Sequence, residues 1–174
     1  KPFSIQPDPA FVYFGRHHSL ACAMIEHAAE NGAGLAVLTG EIGSGKTVLI
    51  RHLLDRLSEP LTVGLLPGPY SPTAGVLAWT ALALGLPYEG KSDLALYDVI
   101  QRFLVKEYAE GKRVLLFIDE AQSLAGADFA MLRMLLNLNA DKDQLVQLLL
   151  TGQPRLAGPR STRRCSKRTG RGTS

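Results

Sequence analysis

The feature that most limits what this chain can fold into is a short apolar run, LAVLT (Leu35–Thr39), that passes directly into GEIGSGKT (Gly40–Thr47) and then into a helical pattern. Gly40, Gly43 and Gly45 allow the backbone to turn tightly and to gather several N–H groups around one point. A helix that begins at the end of such a turn adds partial positive charge at the same place. The spacing G-x-x-x-x-G-K-[ST] at Gly40, Gly45, Lys46 and Thr47 is that of a loop that cradles phosphates. The motif requires a strand before it and a helix after it, so it carries a fold class with it. That class is α/β, with helices layered on a mainly parallel sheet.

In this reading Gly40, Glu41, Ile42, Gly43, Ser44, Gly45, Lys46, Thr47 and Val48 form the nucleotide-binding segment. Lys46 is expected to reach the β- and γ-phosphates, and the Thr47 hydroxyl to ligate Mg2+. The bland alternative is a glycine-rich turn that binds nothing, and the flanking strand and helix disfavour it.

A second acidic segment is VLLFIDEAQSL, Val114–Leu124. An acidic residue just after a buried strand sits at the strand's carboxyl edge, where ligands bind in open α/β sheets. Asp119 is expected to hold Mg2+ through water, and Glu120 to polarise an attacking water. The alternative is that Asp119 only caps a helix beginning at Glu120. The adjacent glutamate points to ATPases that use a glutamate base, and no NKxD guanine-reading motif occurs, since NADKD at Asn139–Asp143 has the wrong order. ATP is therefore favoured over GTP.

A third segment, TGQP at Thr151–Pro154, leaves a strand-like run with two polar side chains. Thr151 and Gln153 are both candidates to touch the γ-phosphate or to position water, the alternative being turn chemistry ahead of Pro154. The catalytic candidates are thus Lys46, Glu120 and Gln153, and the metal candidates Thr47 and Asp119. His17 and His18 either border the base or open a surface helix. His27 and His52 read as surface residues, and no histidine pair has metal-ligand spacing. Trp79, Met131 and Met134 fall in apolar helical patterns and read as core.

The remaining pattern alternates strands and helices. Residues 1–15 read as an extended arm packed by its aromatics. Helices are expected over about Ser19–Asn31 (Leu20, Met24, Ile25 and Ala28 on one face), Lys46–Leu57, from a Ser71 cap with Pro72 to about Leu84, over Asp93–Ala109, and around Asp128–Leu138. Strands are expected at Leu35–Thr39, as a buried strand, then Leu61–Leu66, Val114–Ile118 and Leu145–Thr151.

Composition adds bounds. The 174 residues suit one domain with a tail. Cys22 and Cys165 stand far apart without CxxC spacing, which fits a reducing, cytoplasmic setting and gives no disulfide framework. The longest apolar stretch, Ala74–Pro87, is shorter than the roughly 20 residues a membrane span needs. The chain opens KPFSIQPDP without methionine, as a segment of a longer protein would. The formal charge of +3 hides an asymmetry, because seven of the 19 basic residues and no acidic one lie from Arg155 onward. The rest holds 12 basic against 16 acidic residues, a balance of −4, so the basic character belongs to the tail and says little about nucleic-acid binding by the body.

Taken in order, KPFSIQPDP with FVYF, LAVLTGEIGSGKT, VLLFIDEAQSL and LLLTGQPRL resemble the ExeA or general secretion pathway protein A group of AAA-type ATPases. More distantly they resemble the TniB, TnsC and MuB types that assist transposases. The resemblance covers about residues 1–156; the remainder, 157–174, is basic and almost without apolar residues, and is expected to be a disordered tail. It implies an AAA-type P-loop NTPase fold of three layers, with the glycine-loop strand beside the strand ending at Thr151. It gives the Walker A role to Gly40, Gly43, Gly45, Lys46 and Thr47, the Walker B role to Asp119 and Glu120, and a sensor-like place to Gln153.

By the same resemblance the function is a cytoplasmic ATPase domain that couples Mg-ATP to assembly of a bacterial secretion or envelope complex, with self-association through the ATPase domain. The transposition branch would instead imply binding to DNA and to a transposase. A third reading is an ATP-binding remnant without turnover.

Two departures bear on activity. Arg155 stands where the family carries an acidic residue, and AGPRSTRRCSKRTGRGTS stands where a fifth strand and a C-terminal helical lid are expected. That tail reads either as a truncated gene continued out of frame or as a basic segment for acidic partners. An arginine finger from a neighbour is worth about 10³–10⁵ in rate. With neither Arg133 nor Arg155 assignable to that role and no lid, turnover by the isolated chain is expected to be slow or absent.

Overall fold

The computed structural model of the chain describes residues 16–30, 33–54, 60–68, 70, 74–139 and 144–157. The extended arm read over residues 1–15 and the tail from 158 lie outside the described residues, as do the Ser71 cap and Pro72.

Strands β1 (Leu35–Thr39), β2 (Leu61–Leu66), β3 (Arg113–Ile118) and β4 (Val146–Gly152) form one sheet in the order β1-β4-β3-β2, every neighbouring pair parallel. The glycine-loop strand therefore pairs with β4, the strand that carries Thr151, as the family resemblance implies. Helix α1 (Arg16–Glu30) precedes β1, and helices α2 (Lys46–Leu54), α3 (Val76–Ala83), α4 (Asp93–Ala109) and α5 (Gly126–Leu136) lie in the crossovers that parallel strands need.

The period-2 alternation of the central strands divides the core into two layers. Leu115, Phe117 and Leu149 turn to one face, where they pack with Ile25 of α1 and Ile50 and Leu53 of α2. Val114, Leu116, Ile118, Leu148 and Leu150 turn to the other, against α3, α4 and α5. All seven residues of β4 are buried, as expected for a strand covered by helices on both sides. This is the α/β class expected from the strand–loop–helix pattern, in the three layers that the family resemblance implies.

α4 keeps both of its expected ends. The Ser92 hydroxyl accepts from the Ala95 N–H at its start, and Leu96, Ile100 and Leu104 form the buried stripe. α3 begins later than expected, with Gly75 as its N-cap and no side-chain cap of its own. Its first N–H, from Val76, is instead bound by the Asp128 carboxylate at 3.1 Å. The other oxygen of that carboxylate accepts from the Ala125 N–H at 2.9 Å, so one side chain caps the starts of both α3 and α5.

Three burial expectations are corrected. On α1 the inward residues are Cys22 and Ile25, whereas Leu20 and Met24 are 61% and 64% exposed. α1 lies on α2 and β1 by the neighbouring stripe, which the helical period alone does not choose. Met134 on α5 is exposed, while Met131 packs against the core. β1 is parallel but not fully buried: with β4 as its single partner among the described strands, it leaves Leu35 and Val37 about half exposed.

Candidate functional site

Parallel strands point their carboxyl ends the same way, so Thr39, Ile118 and Gly152 deliver their following loops to one edge of the sheet. The glycine loop, the Asp119–Glu120 turn and Gln153 meet there.

The loop has the backbone that its glycines allow. Gly43 and Gly45 have φ of 76° and 81°, and nothing lies within 4 Å of where a Gly43 Cβ would stand. These are left-handed values that ordinary side chains rarely adopt. α2 starts directly after, with the Leu49 N–H on the Gly45 carbonyl at 2.9 Å. The Lys46 ammonium folds back over the loop, donating to the Gly40 and Glu41 carbonyls at 2.8 Å each. It is thus held at the mouth of the loop with protein oxygens as its partners. The loop is tied to the sheet by the Gly40 N–H on the Gly152 carbonyl at 3.1 Å.

Thr47, on the first turn of α2, donates its hydroxyl to Asp119 Oδ2 at 2.9 Å. Asp119 Oδ1 accepts from the Glu120 N–H at 2.9 Å and, in a short contact, from the Thr151 hydroxyl. Asp119 is therefore more than a cap: it joins the loop helix to the end of β4. Thr151 itself is fully buried with its hydroxyl on Asp119. Its expected role of touching a phosphate is replaced by one of holding this carboxylate.

Glu120 has φ 50° and ψ 38°, the left-handed conformation and the only such non-glycine residue among those described. Holding it there costs on the order of 1–3 kcal/mol, a strain met mostly at functional sites. It turns the chain from β3 into a single 3-10 turn, Ala121–Ser123, rather than into the helix foreseen as the alternative. A methyl group on Gly68 would come within 2.7 Å of the Glu120 Cβ and 3.1 Å of the Asp119 carbonyl, so the turn rests directly on a glycine. Beside it the Tyr70 hydroxyl lies on the Asp119 carbonyl at 2.9 Å and the Leu66 carbonyl at 2.6 Å. Burial, with the nearby Asp119 and Glu120 charges, pushes the Tyr70 phenol well above its usual range.

The Glu120 carboxylate takes a short hydrogen bond from the Gln122 side-chain amide. The Gln122 carbonyl oxygen accepts from the Gln153 backbone N–H at 3.0 Å. Gln122, Gly68 and Tyr70 were not singled out from the sequence, although Gln122 lies two residues beyond the acidic pair. His18 Nε2 sits 2.8 Å from the Ser44 carbonyl, so the start of α1 borders the glycine loop. A pocket of about 200 Å³ opens there between His18, Ala21, Leu38 and Leu49, next to Gly40 and Lys46. A larger cleft of about 360 Å³, between the starts of α3, α4 and α5, contains none of the loop residues.

The donor set fits a magnesium ion, which prefers oxygen ligands and usually keeps waters and substrate phosphates in its shell. Thr47 and Asp119 place a hydroxyl and a carboxylate side by side.

Comparison with known proteins agrees with this geometry. A family model described as an AAA domain matches residues 29–158. General secretion pathway protein A of Aeromonas hydrophila is 36% identical over 156 residues, covering 89% of this chain and 28% of that protein. Among solved structures, the Aeropyrum pernix ORC2 protein in its ADPNP-ADP complexes superposes with a TM-score of 0.60 at 19% identity, covering 88% of this chain and 45% of that one. Cdc6p from Pyrobaculum aerophilum gives 0.56 at 17%, with 86% and 42% covered. The chain spans less than half the length of each of these relatives, and the two structural likenesses speak to the fold alone. On the family match, with the resemblance to general secretion pathway protein A borne out at the sequence level, this chain belongs to the AAA domain family and has its P-loop α/β fold.

Proposed function

We propose that the chain is an ATP-binding AAA-type ATPase domain, spanning 1–156 with 157–174 as a separate tail. The observation that carries this reading is the hydrogen bond between Thr47 and Asp119 beside the Lys46 ammonium. It brings phosphate-binding and metal-binding chemistry from distant parts of the chain to one edge of the sheet.

In this reading the segment Gly40–Val48 surrounds the phosphates with the N–H groups beyond Gly40, whose own N–H stays on the Gly152 carbonyl, and Lys46 exchanges the Gly40 and Glu41 carbonyls for phosphate oxygens. Thr47 and Asp119 would hold Mg2+, which would supply positive charge to offset that of the phosphates. The base lies toward the pocket beside His18. In hydrolysis a water oxygen bonds to the γ-phosphorus, the bond to the ADP oxygen breaks, and Glu120 takes the proton from the water. Gln153 stands at the sensor-like position. Turnover by the chain alone is slow, because the transition-state charge is usually met by an arginine from a neighbouring subunit.

We further propose that this module works in the cytoplasm and couples Mg-ATP to assembly of a bacterial secretion or envelope complex; the relative's name supports the general secretion pathway part of this reading. No helix among the described residues is long and apolar enough to cross a membrane.

The test is calorimetric titration with Mg-ATP, alongside Lys46→Ala, with phosphate release measured on the same samples. Binding by the wild type that the variant loses supports the reading. Equal binding by both, or none by a folded wild type, overturns it.

A further inference from the structure

Glu120 and Gln153 lie just beyond the ends of different strands, β3 and β4, and one side chain connects them. Gln122 presents its amide nitrogen to the Glu120 carboxylate and its carbonyl oxygen to the Gln153 N–H. The fit is close. A methyl group on Gly152 would stand 2.5 Å from the Gln122 Oε1 and 3.6 Å from its backbone nitrogen. Gly152 in turn gives its carbonyl to the first N–H of the glycine loop.

A carboxylate that is to remove a proton from water acts best when one oxygen is fixed and the other is left to accept. Catalytic bases are commonly oriented in this way by a third group. A primary amide suits the task, because it donates at one end, accepts at the other, and does not change charge over the working pH range.

We infer that Gln122 is a positioning residue for Glu120. It fixes Oε2 of the carboxylate and registers it against the end of β4, so that the base and the Gly152–Gln153 segment move together. This rests on the ATPase reading above. The left-handed Glu120 backbone makes the point sharper. The turn sets where the side chain leaves the strand, and Gln122 sets where its carboxylate ends.

Two readouts test this, one of them independent of turnover. The first is the 15N–1H spectrum of the glutamine side-chain amides, in which the Gln122 pair is assigned by its loss in Gln122→Met, a variant of similar size without the amide. In Glu120→Ala the Gln122 amide signals move toward free-glutamine values while the other glutamine amides stay in place. The second is single-turnover hydrolysis of Mg-ATP with protein in excess. Gln122→Met and Gln122→Asn, the latter too short to span both partners, bind Mg-ATP within about twofold of wild type and hydrolyse it at least about tenfold more slowly. The pair Gln122→Met with Glu120→Gln is no slower than Glu120→Gln alone.

Unmoved Gln122 amide signals in Glu120→Ala, unchanged turnover in both Gln122 variants, or additive losses in the double variant each overturn the inference. A wild type that binds no Mg-ATP refutes the ATPase reading instead, and the amide spectrum still decides whether the tether exists.

Discussion

The hydroxyl of Thr47 and the carboxylate of Asp119, 72 residues apart in the chain, are hydrogen-bonded at 2.9 Å. Thr47 is exposed on the first turn of α2. Under the proposed function, this hydroxyl and carboxylate would together hold a divalent cation. Replacing the carboxylate by an amide, Asp119→Asn, keeps the shape and removes the charge. The expected outcome is loss of the Mg2+-dependent part of ATP affinity, about tenfold or more, equal to about 1.4 kcal/mol, with metal-free binding little changed. Titrations with and without chelator decide it, and an Mg2+ effect of wild-type size in the variant would refute the metal assignment.

Gly68 is the floor under the Glu120 turn. Gly68→Ala forces a methyl group against the Glu120 Cβ and the Asp119 carbonyl, one of them backbone. The expected cost is about 1–3 kcal/mol, typical of forced overpacking. Turnover should fall further than nucleotide affinity, because the misplaced group carries the base and not the phosphate loop. Denaturant melts paired with single-turnover rates measure both, and a variant of wild-type stability and rate would show that the turn yields freely.

Tyr70 ties the same turn to β2 through two carbonyls. Tyr70→Phe removes the single proton that these two carbonyls share, at an expected cost of about 1–2 kcal/mol. The fold holds the neutral phenol and raises its pKa above the unfolded value. Its contribution is therefore complete below the ordinary phenol range near pH 10 and is lost as the pH climbs beyond it. Between about pH 6 and 9 the stability gap between wild type and variant should stay flat. A gap that widens or closes within that window counts against the assignment.

Asn139 acts as a splint for the entry to β4. Its carbonyl oxygen accepts from the Leu145 and Val146 N–H groups at 2.9 and 3.0 Å, and its amide donates to the Val146 carbonyl at 2.8 Å. Asn139→Ala leaves these backbone groups without a partner in a half-buried place, at an expected cost of about 1–3 kcal/mol. Asn139→Asp keeps the acceptor and loses the donor, and should fall between the two in a chemical melt. Wild-type stability in the alanine variant would mean that water replaces the splint without cost.

What could be read in the sequence was what is local. The glycine loop declares itself in eight residues, and α4 declares itself by the helical period of its apolar residues over Asp93–Ala109. The parallel direction of the strands followed from their alternation with helices, and the pairing of β1 with β4 from the family resemblance. The choice between adjacent faces of α1 did not, because Leu20 with Met24 and Cys22 with Ile25 are equally apolar and only the helix packed beside them decides. Nor could an apolar run show whether β1 lies at the centre or edge of the sheet. Gln122, Gly68 and Tyr70 escaped for a related reason. Gln122 meets Gln153 31 residues on, and Tyr70 meets Asp119 49 residues on, and no local pattern marks such a meeting.

β1 combines two properties that rarely sit comfortably together. It anchors the glycine loop, and among the described strands it is fastened along one side only. An edge strand can peel away in a partial opening that leaves β4, β3 and β2 joined, so its amide protons should exchange with solvent sooner than theirs. A ligand gripped by the loop closes that opening, and part of its binding free energy is returned as slower exchange along Leu35–Thr39. The nucleotide, on this view, is also a fastener for the sheet, and the strand that presents it is the one whose breathing it stills.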